Sequence, residues 1–181
     1  SRPSLGDGQA QDQGYQPDSW RDRREGREPE SGGEDGSGGK LAVLIFLSGV
    51  KEIETMYDTL LAQREINCSP AARDWVLPLH GSLPPEEQRR VFQRPPSGVR
   101  KIVLATNVAE TSITIDDVGY VIDTARMKER RYDPVRRLAS LEDCMISRAN
   151  ARQRRGRAGR VAPGVAVHLF SSHTHVRPPP Y

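Results

Sequence analysis

The 181 residues carry 35% hydrophobic and 28% charged side chains, which suffices for one core and one domain. The formal net charge of +3 hides an uneven map: from Arg126 to Arg160 twelve Arg or Lys face four acids, a local net of about +8 that suits nucleic acid. Cys68 and Cys144, far apart and in no metal-like spacing, argue against a disulfide framework or a zinc site, and no apolar run approaches the roughly twenty residues that span a bilayer.

A soluble, intracellular chain with reduced thiols and no membrane partner is therefore expected, with nucleus and cytoplasm both open. The sequence begins at Ser1 with no initiator Met and no signal peptide, which suggests a fragment.

Residues 1–39 are rich in Gly, Asp, Glu, Arg, Gln and Ser and end in SGGEDGSGG; they hold too few aliphatic residues to offset ordering entropy, so a disordered low-complexity segment is expected there. Tyr15 and Trp20 read as incidental aromatics of a linker, with attachment points for a partner as the sharper alternative. From Lys40 onward strand and helix alternate. LAVLIFL has the length and apolar continuity of a buried parallel strand, closed by Ser48-Gly49. Val50, Ile53, Tyr57, Leu60 and Leu61 then make one apolar stripe at helical spacing. A short strand WVLPL follows, then a helix opening at Pro84-Pro85 with Glu86 and Glu87 in its first turn, then the strand KIVLAT.

After Thr106 a polar loop leads to the strand Tyr120-Val121-Ile122-Asp123. Residues 126–146 lack a helical period and read as two half-alternating strands around Asp133-Pro134-Val135-Arg136, a hairpin signal. Ser147 is placed to cap a helix running into QRRGRAGR, and GVAVHLF makes a last strand. Such alternation predicts a parallel sheet with helices on both faces, and ligands in such folds gather outside the carboxyl ends of the strands. His173 and His175 form an HxH with no third ligand in sight, so no metal site is assigned.

Two segments carry chemistry. QRRGRAGR, Gln153 to Arg160, sets four arginines around Gly156 and Gly159, so fixed cations crowd a backbone that can be approached closely; that suits phosphate, although such runs also occur as solvated helix faces or import signals. About forty residues earlier lies the polar cluster ATNVAETSITIDD, Ala105 to Asp117. With LIFLSG (Leu44 to Gly49) and PLHGSLPPEEQ (Pro78 to Gln88), these segments make four motifs in order, and the stretch from Leu41 to Phe170 resembles the second RecA-like domain of the DEAH-box RNA helicases of superfamily two.

The resemblance implies a RecA-like, P-loop-NTPase-type α/β fold with an inserted β-hairpin, over a domain of residues 40–181 truncated at its C-terminus. It also implies roles. Arg160 would be the arginine finger, Arg157 a second phosphate contact and Gln153 the residue that positions the attacking water, with Gly156 letting the backbone come close; a guanidinium against a γ-phosphoryl is worth about 10³ to 10⁵ in rate. Asp116 would meet the ATP ribose, Thr106 and Thr114 the RNA backbone, and Glu110, Thr111 and Ser112 lie in the loop joining the two sites.

On the residues themselves, Asn107, Thr111 and Ser112 are equally able to cap a short helix and Asp116 a turn. Ser48, Gly49, His80, Gly81 and Ser82 are small or polar groups at loop tips, suited to phosphate and 2′-OH contacts. The hairpin residues Lys128, Arg130, Arg131, Arg136 and Arg137 would form a wedge near the 5′ end of a bound strand, or else a solvated basic face.

Departures accompany the likeness. Ser48 stands where relatives usually carry Pro, VRPPPY replaces the usual continuation, and neither a GxxxxGK[ST] loop nor an Asp-Glu-Ala-His box occurs. The expectation is a motor domain that uses ATP, single-stranded RNA and the first RecA-like domain as partners, with Mg²⁺ ligands on that other domain and an activating protein admitted as a further partner. It would be inactive alone, and the full enzyme would move 3′ to 5′ on RNA. The alternative is a catalytically incomplete RNA-binding or regulatory fragment, which a GKT-type phosphate loop upstream would exclude; a DNA helicase is the third reading.

Overall fold

The computed structural model describes residues 39–111, 113–133 and 137–170. Five parallel strands form the central sheet: β1 (Ala42–Phe46), β2 (Val76–Leu79), β3 (Ile102–Ala105), β4 (Val118–Asp123) and β7 (Val165–His168), in the spatial order β2-β3-β1-β4-β7. β5 (Arg126–Asp133) and β6 (Leu138–Met145) pair antiparallel as a separate hairpin, with Arg126 opposite Met145 and Asp133 opposite Leu138. Each strand expected from the sequence is present, and so is the hairpin. The turn residues 134–136, together with residues 1–38, Ser112, His173 and His175, lie outside the described residues.

β1 is central because both its edges are paired, Phe46 lying beside Ala105 on one flank and Asp123 on the other. Side chains alternate across it. Ala42, Leu44 and Phe46 join Leu77, Leu79, Val103, Val121 and Val91 in one core. On the other face Val43, Ile45 and Leu47 meet Leu104, Ile53, Met56, Tyr57, Leu60 and Leu61. α1 (Val50–Ala62) covers that second face with the apolar stripe read from the sequence, while α5 (Val108–Thr111) and α6 (Arg148–Arg155) lie on the first.

Sequence reasoning did not anticipate α2 (Arg64–Asn67) and α3 (Pro70–Asp74), two short helices between α1 and β2. A signal for α3 existed: Ser69 accepts from the Ala72 amide at 3.3 Å and Pro70 sits at the first helical position. α4 (Pro85–Arg89) opens at the paired prolines as expected and ends in a 3₁₀ turn over Arg90–Phe92. β2 is an edge strand, which is where the proline of WVLPL belongs.

The strand order reverses around β1, whose neighbours β3 and β4 leave it in opposite directions across the sheet; this is the switch point at which such folds bind ligands. Backbone bonds tie the carboxyl ends into one rim. Leu47 N donates to Ala105 O at 2.8 Å, Thr106 N to Leu79 O at 3.1 Å, and Leu169 N to Asp123 O at 2.8 Å. At the opposite, amino end the Lys101 ammonium, 0% exposed, is enclosed by Asp117 Oδ1 at 2.8 Å, Val91 O at 2.7 Å and Gln93 O at 2.9 Å.

Candidate nucleotide and nucleic-acid site

Motif residues cluster along that rim. Ser48 follows β1 and is buried, and Gly49 is the residue before α1, with extended backbone at φ −166°. A Cβ at Gly49 would come within 2.7 Å of Lys128 Nζ, because Lys128 of β5 reaches over to Glu52 of α1 at 3.0 Å. The hydrogen bond from Lys128 holds the Glu52 carboxyl below its ordinary range. One hairpin cation expected at the RNA path is thus fixed beside the LIFLSG segment. The hairpin is not a bare basic face, since Arg126 lies 3.6 Å from Asp143 and Arg131 3.5 Å from Glu142 across the strands.

After β2, His80 is partly buried with Nδ1 lacking a partner among the described residues, while Gly81 and Ser82 are exposed. After β3, Thr106 is buried; its amide serves β2 and its carbonyl accepts from Ala109 N at 3.3 Å, starting α5. Asn107 is exposed at the entry to that helix, so the loop does hold a short helix, with Thr111 inside it. Thr114 and Asp116 are both exposed beyond α5, whereas the neighbouring Asp117 is buried against Lys101. The two adjacent aspartates therefore divide into one facing solvent and one bracing the sheet.

QRRGRAGR spans the end of α6 and the turn after it, as expected. Ser147 and Asn150 form a reciprocal cap at the start of the helix, Ser147 Oγ accepting from Asn150 N and Asn150 Oδ1 from Ser147 N, each at 3.2 Å. Gln153 and Arg155 are exposed and Gly156 closes the helix at an ordinary φ of −67°. The chain then turns through Gly159 at φ +83°, a conformation that favours glycine, and folds back so tightly that a Cβ on Gly164 would strike Gly159 N and Ala158. Arg157 is partly buried on this turn and Arg160 is exposed. Burial, and then the charge of Arg160, lower the Arg157 pKa from its ordinary value, with Glu110 opposing. Arg157 Nε has no partner, and neither arginine has an ion pair among the described residues.

Sequence reasoning left Arg154, in the same octamer, without a role of its own. Arg154 is 0% exposed. Its Nε donates to Glu110 Oε2 at 3.1 Å, its Nη1 to Asp123 Oδ1 at 2.8 Å and to Arg126 O at 3.2 Å, and its Cζ lies over the Phe46 ring, 4.7 Å from the ring centre. Asn150 Nδ2 donates to the other oxygen of Glu110. Asp123 also accepts from Ala125 N at 2.9 Å and, through Oδ2, from His168 Nδ1 at 3.0 Å; an ionised carboxylate has only acceptors, so that ring nitrogen carries the proton. Burial opposes ionisation of Asp123, but the hydrogen bonds from His168 and Arg154 outweigh it and hold the carboxyl below its usual range. An Arg-rich octamer gives no local sign of which arginine is inside; the only signal was the apolar neighbourhood of its distant partners, Asp123 at the end of a buried strand and Glu110 beside Ala109.

A parallel sheet with the motif loops on its carboxyl rim, an inserted hairpin and an arginine-bearing turn defines the RecA-like class of motor domain. The chain belongs to the helicase conserved C-terminal domain family, which matches residues 37–162, and within it to the second RecA-like domain of the DExH/DEAH-box type. It is 55% identical over 132 residues to human DHX57, covering 73% of this chain and 10% of that protein. It is 51% identical over 132 residues to the Arabidopsis thaliana DExH-box ATP-dependent RNA helicase DExH4, covering 73% and 9%. The solved E. coli DExH-box NTPase HrpB superposes with a TM-score of 0.63 at 39% identity, over 76% of this chain and 16% of that one. The chain thus spans about a tenth of the length of the curated relatives it matches.

Proposed function

We propose that this chain is the second motor domain of an ATP-dependent RNA helicase that moves 3′ to 5′ on RNA and remodels RNA or RNA–protein complexes. The observation that carries the reading is the pair Arg157 and Arg160, without an ion pair among the described residues and set on a glycine-shaped turn, immediately after a helix bolted to the loop that bears Thr106 and Thr114. Free guanidinium donors fit phosphate oxygens, and a terminal phosphoryl undergoing transfer develops charge that they stabilise. In this reading Arg160 acts as the finger, Arg157 supports it, Gln153 orients the water, and Gly156 leaves room for the phosphate chain. Asp116, exposed beside Thr114, takes the ribose hydroxyl.

Ser48, Gly49, Ser82, Thr106 and Thr114 supply RNA-backbone contacts along the carboxyl rim. Among the described residues no three His, Cys, Asp or Glu side chains converge as a metal site. In this reading the Mg²⁺ ligands lie on the first RecA-like domain, which completes the ATP site, so the present chain alone is inactive. An activating protein is admitted as a further partner of the assembled enzyme. The second reading, a catalytically incomplete RNA-binding or regulatory fragment, is favoured by one observation, the lack of a phosphate loop in the 181 residues.

The test separates RNA grip from nucleotide binding. In the full-length protein Thr114→Ala is expected to remove one backbone contact worth about 1 kcal/mol and to lower RNA-stimulated ATPase and unwinding, with basal hydrolysis little changed. The loss should be alike for RNAs of different sequence, since phosphate contacts carry no base information. Asp116→Ala should instead raise the ATP KM. Normal unwinding by Thr114→Ala would remove this loop from the RNA path.

A further inference from the structure

The reading just given assigns the arginines of the turn but not what aims them. α6 is eight residues long and buries only Ala151 and Arg154, so apolar packing alone cannot fix its direction. Its orientation comes from polar anchors. Asn150 and Arg154, four residues apart on one helical face, grip the two oxygens of the same Glu110 carboxylate. On its other side Arg154 is held by Asp123 at the end of β4 and by the carbonyl of Arg126 at the root of the hairpin. The turn that presents Arg157 hangs from this same residue, since Arg157 N donates to Arg154 O at 3.1 Å.

Glu110, for its part, sits in the four-residue α5, whose first backbone bond is accepted by Thr106 O. One buried guanidinium therefore joins three things: the loop proposed to feel RNA, the end of a central strand, and the turn proposed to feel nucleotide. Enclosing a charge so fully is costly unless it is multiply paired, and here two carboxylates and a carbonyl meet it. Displacing the turn by about 1 Å is enough to slow a positioned reaction on the order of 100-fold.

We propose that Arg154 is the positioning residue of the arginine-bearing turn and that Glu110 is its counterpart in the RNA-side loop, so that a shift of α5 reaches Arg157 and Arg160 through this rigid link. The inference rests on the function proposed above. It predicts a kinetic signature that a merely structural ion pair lacks. In the full-length protein, with the active fraction titrated, Arg154→Lys keeps the charge but has no second nitrogen with which to span Glu110 and Asp123.

Its kcat for ATP should fall about 100-fold, with the ATP KM and RNA affinity within about twofold of the parent. Glu110→Gln, nearly isosteric, should lose about tenfold in kcat, chiefly in the RNA-stimulated part. The double variant should be no slower than Arg154→Lys, because both changes cut the same link.

A folded Arg154→Lys protein with parental kcat per active site, or losses that add in the double variant, would overturn the proposal. Where Arg154→Lys fails to melt cooperatively, Glu110→Gln decides, and a parental RNA-stimulated kcat there overturns it equally. If Arg160→Ala also leaves hydrolysis intact, the motor-domain reading itself has failed; if Arg160→Ala is slow and both link variants are normal, only the positioning role has.

Discussion

Replacing Arg160 by Ala in the full-length protein is expected to slow ATP hydrolysis by about three orders of magnitude while leaving ATP affinity nearly intact. The asymmetry follows from where the side chain stands. Arg160 is exposed on the turn after α6 and has no ion pair among the described residues, so its guanidinium is open to a ligand. A cation of this kind matters most when charge spreads over a phosphoryl group in transit, and much less when ATP merely binds. Arg160→Lys should fail to restore the rate, because a single ammonium cannot reproduce the planar fork. Single-turnover kinetics together with equilibrium nucleotide binding measure the two quantities separately. Near-normal turnover by Arg160→Ala would take the residue out of the active site.

The largest effect on stability is expected far from that chemistry, at Lys101. Its ammonium closes the amino end of the sheet, binding Asp117, the carbonyl of Val91 and the carbonyl of Gln93 at once. Lys101→Met preserves most of the buried stem but leaves the Asp117 carboxylate enclosed without a cation and two carbonyls without a donor. Breaking a buried pair in this way costs about 3–5 kcal/mol, a large share of the roughly 5–15 kcal/mol that holds a domain together. Thermal and urea melts of the 181-residue chain should show a midpoint lower by about 10 °C or more at unchanged urea slope. The double variant Lys101→Met/Asp117→Leu should recover much of the loss, since removing both charges leaves no orphan. A single variant as stable as the parent would mean that the carboxylate is hydrated rather than enclosed.

What the sequence made legible, and what it did not, divides along physical lines. Apolar runs such as LAVLIFL and KIVLAT declare buried parallel strands because nothing else tolerates such continuity, and the stripe from Val50 to Leu61 declares a helix because its spacing has only one compatible geometry. Ser147 announced a helix start through its capping chemistry. α2 and α3 were hidden because helices of four and five residues show no period, even with Ser69-Pro70 in view. The site was legible at its surface and opaque beneath. Motifs singled out Arg157, Arg160, Thr114 and Asp116, all outside helices and strands, yet not the buried Arg154, whose partners Glu110 and Asp123 lie 44 and 31 residues away. Likewise Asp117 looked like one more acid of the polar cluster, although it serves the sheet. Long-range pairing between charges has no local signature, and only the fold reveals it.

The most direct measurement is strand displacement by the full-length protein on duplexes that carry either a 3′ or a 5′ single-stranded RNA overhang, run in parallel with RNA-stimulated ATPase. The account predicts ATP-dependent unwinding that requires the 3′ overhang, ATPase raised by single-stranded RNA, and loss of both in Arg160→Ala. Protein that binds RNA but neither hydrolyses ATP nor unwinds in any configuration would contradict the motor reading and favour an RNA-binding or regulatory role, and a preference for the 5′ overhang would contradict the direction of movement proposed here.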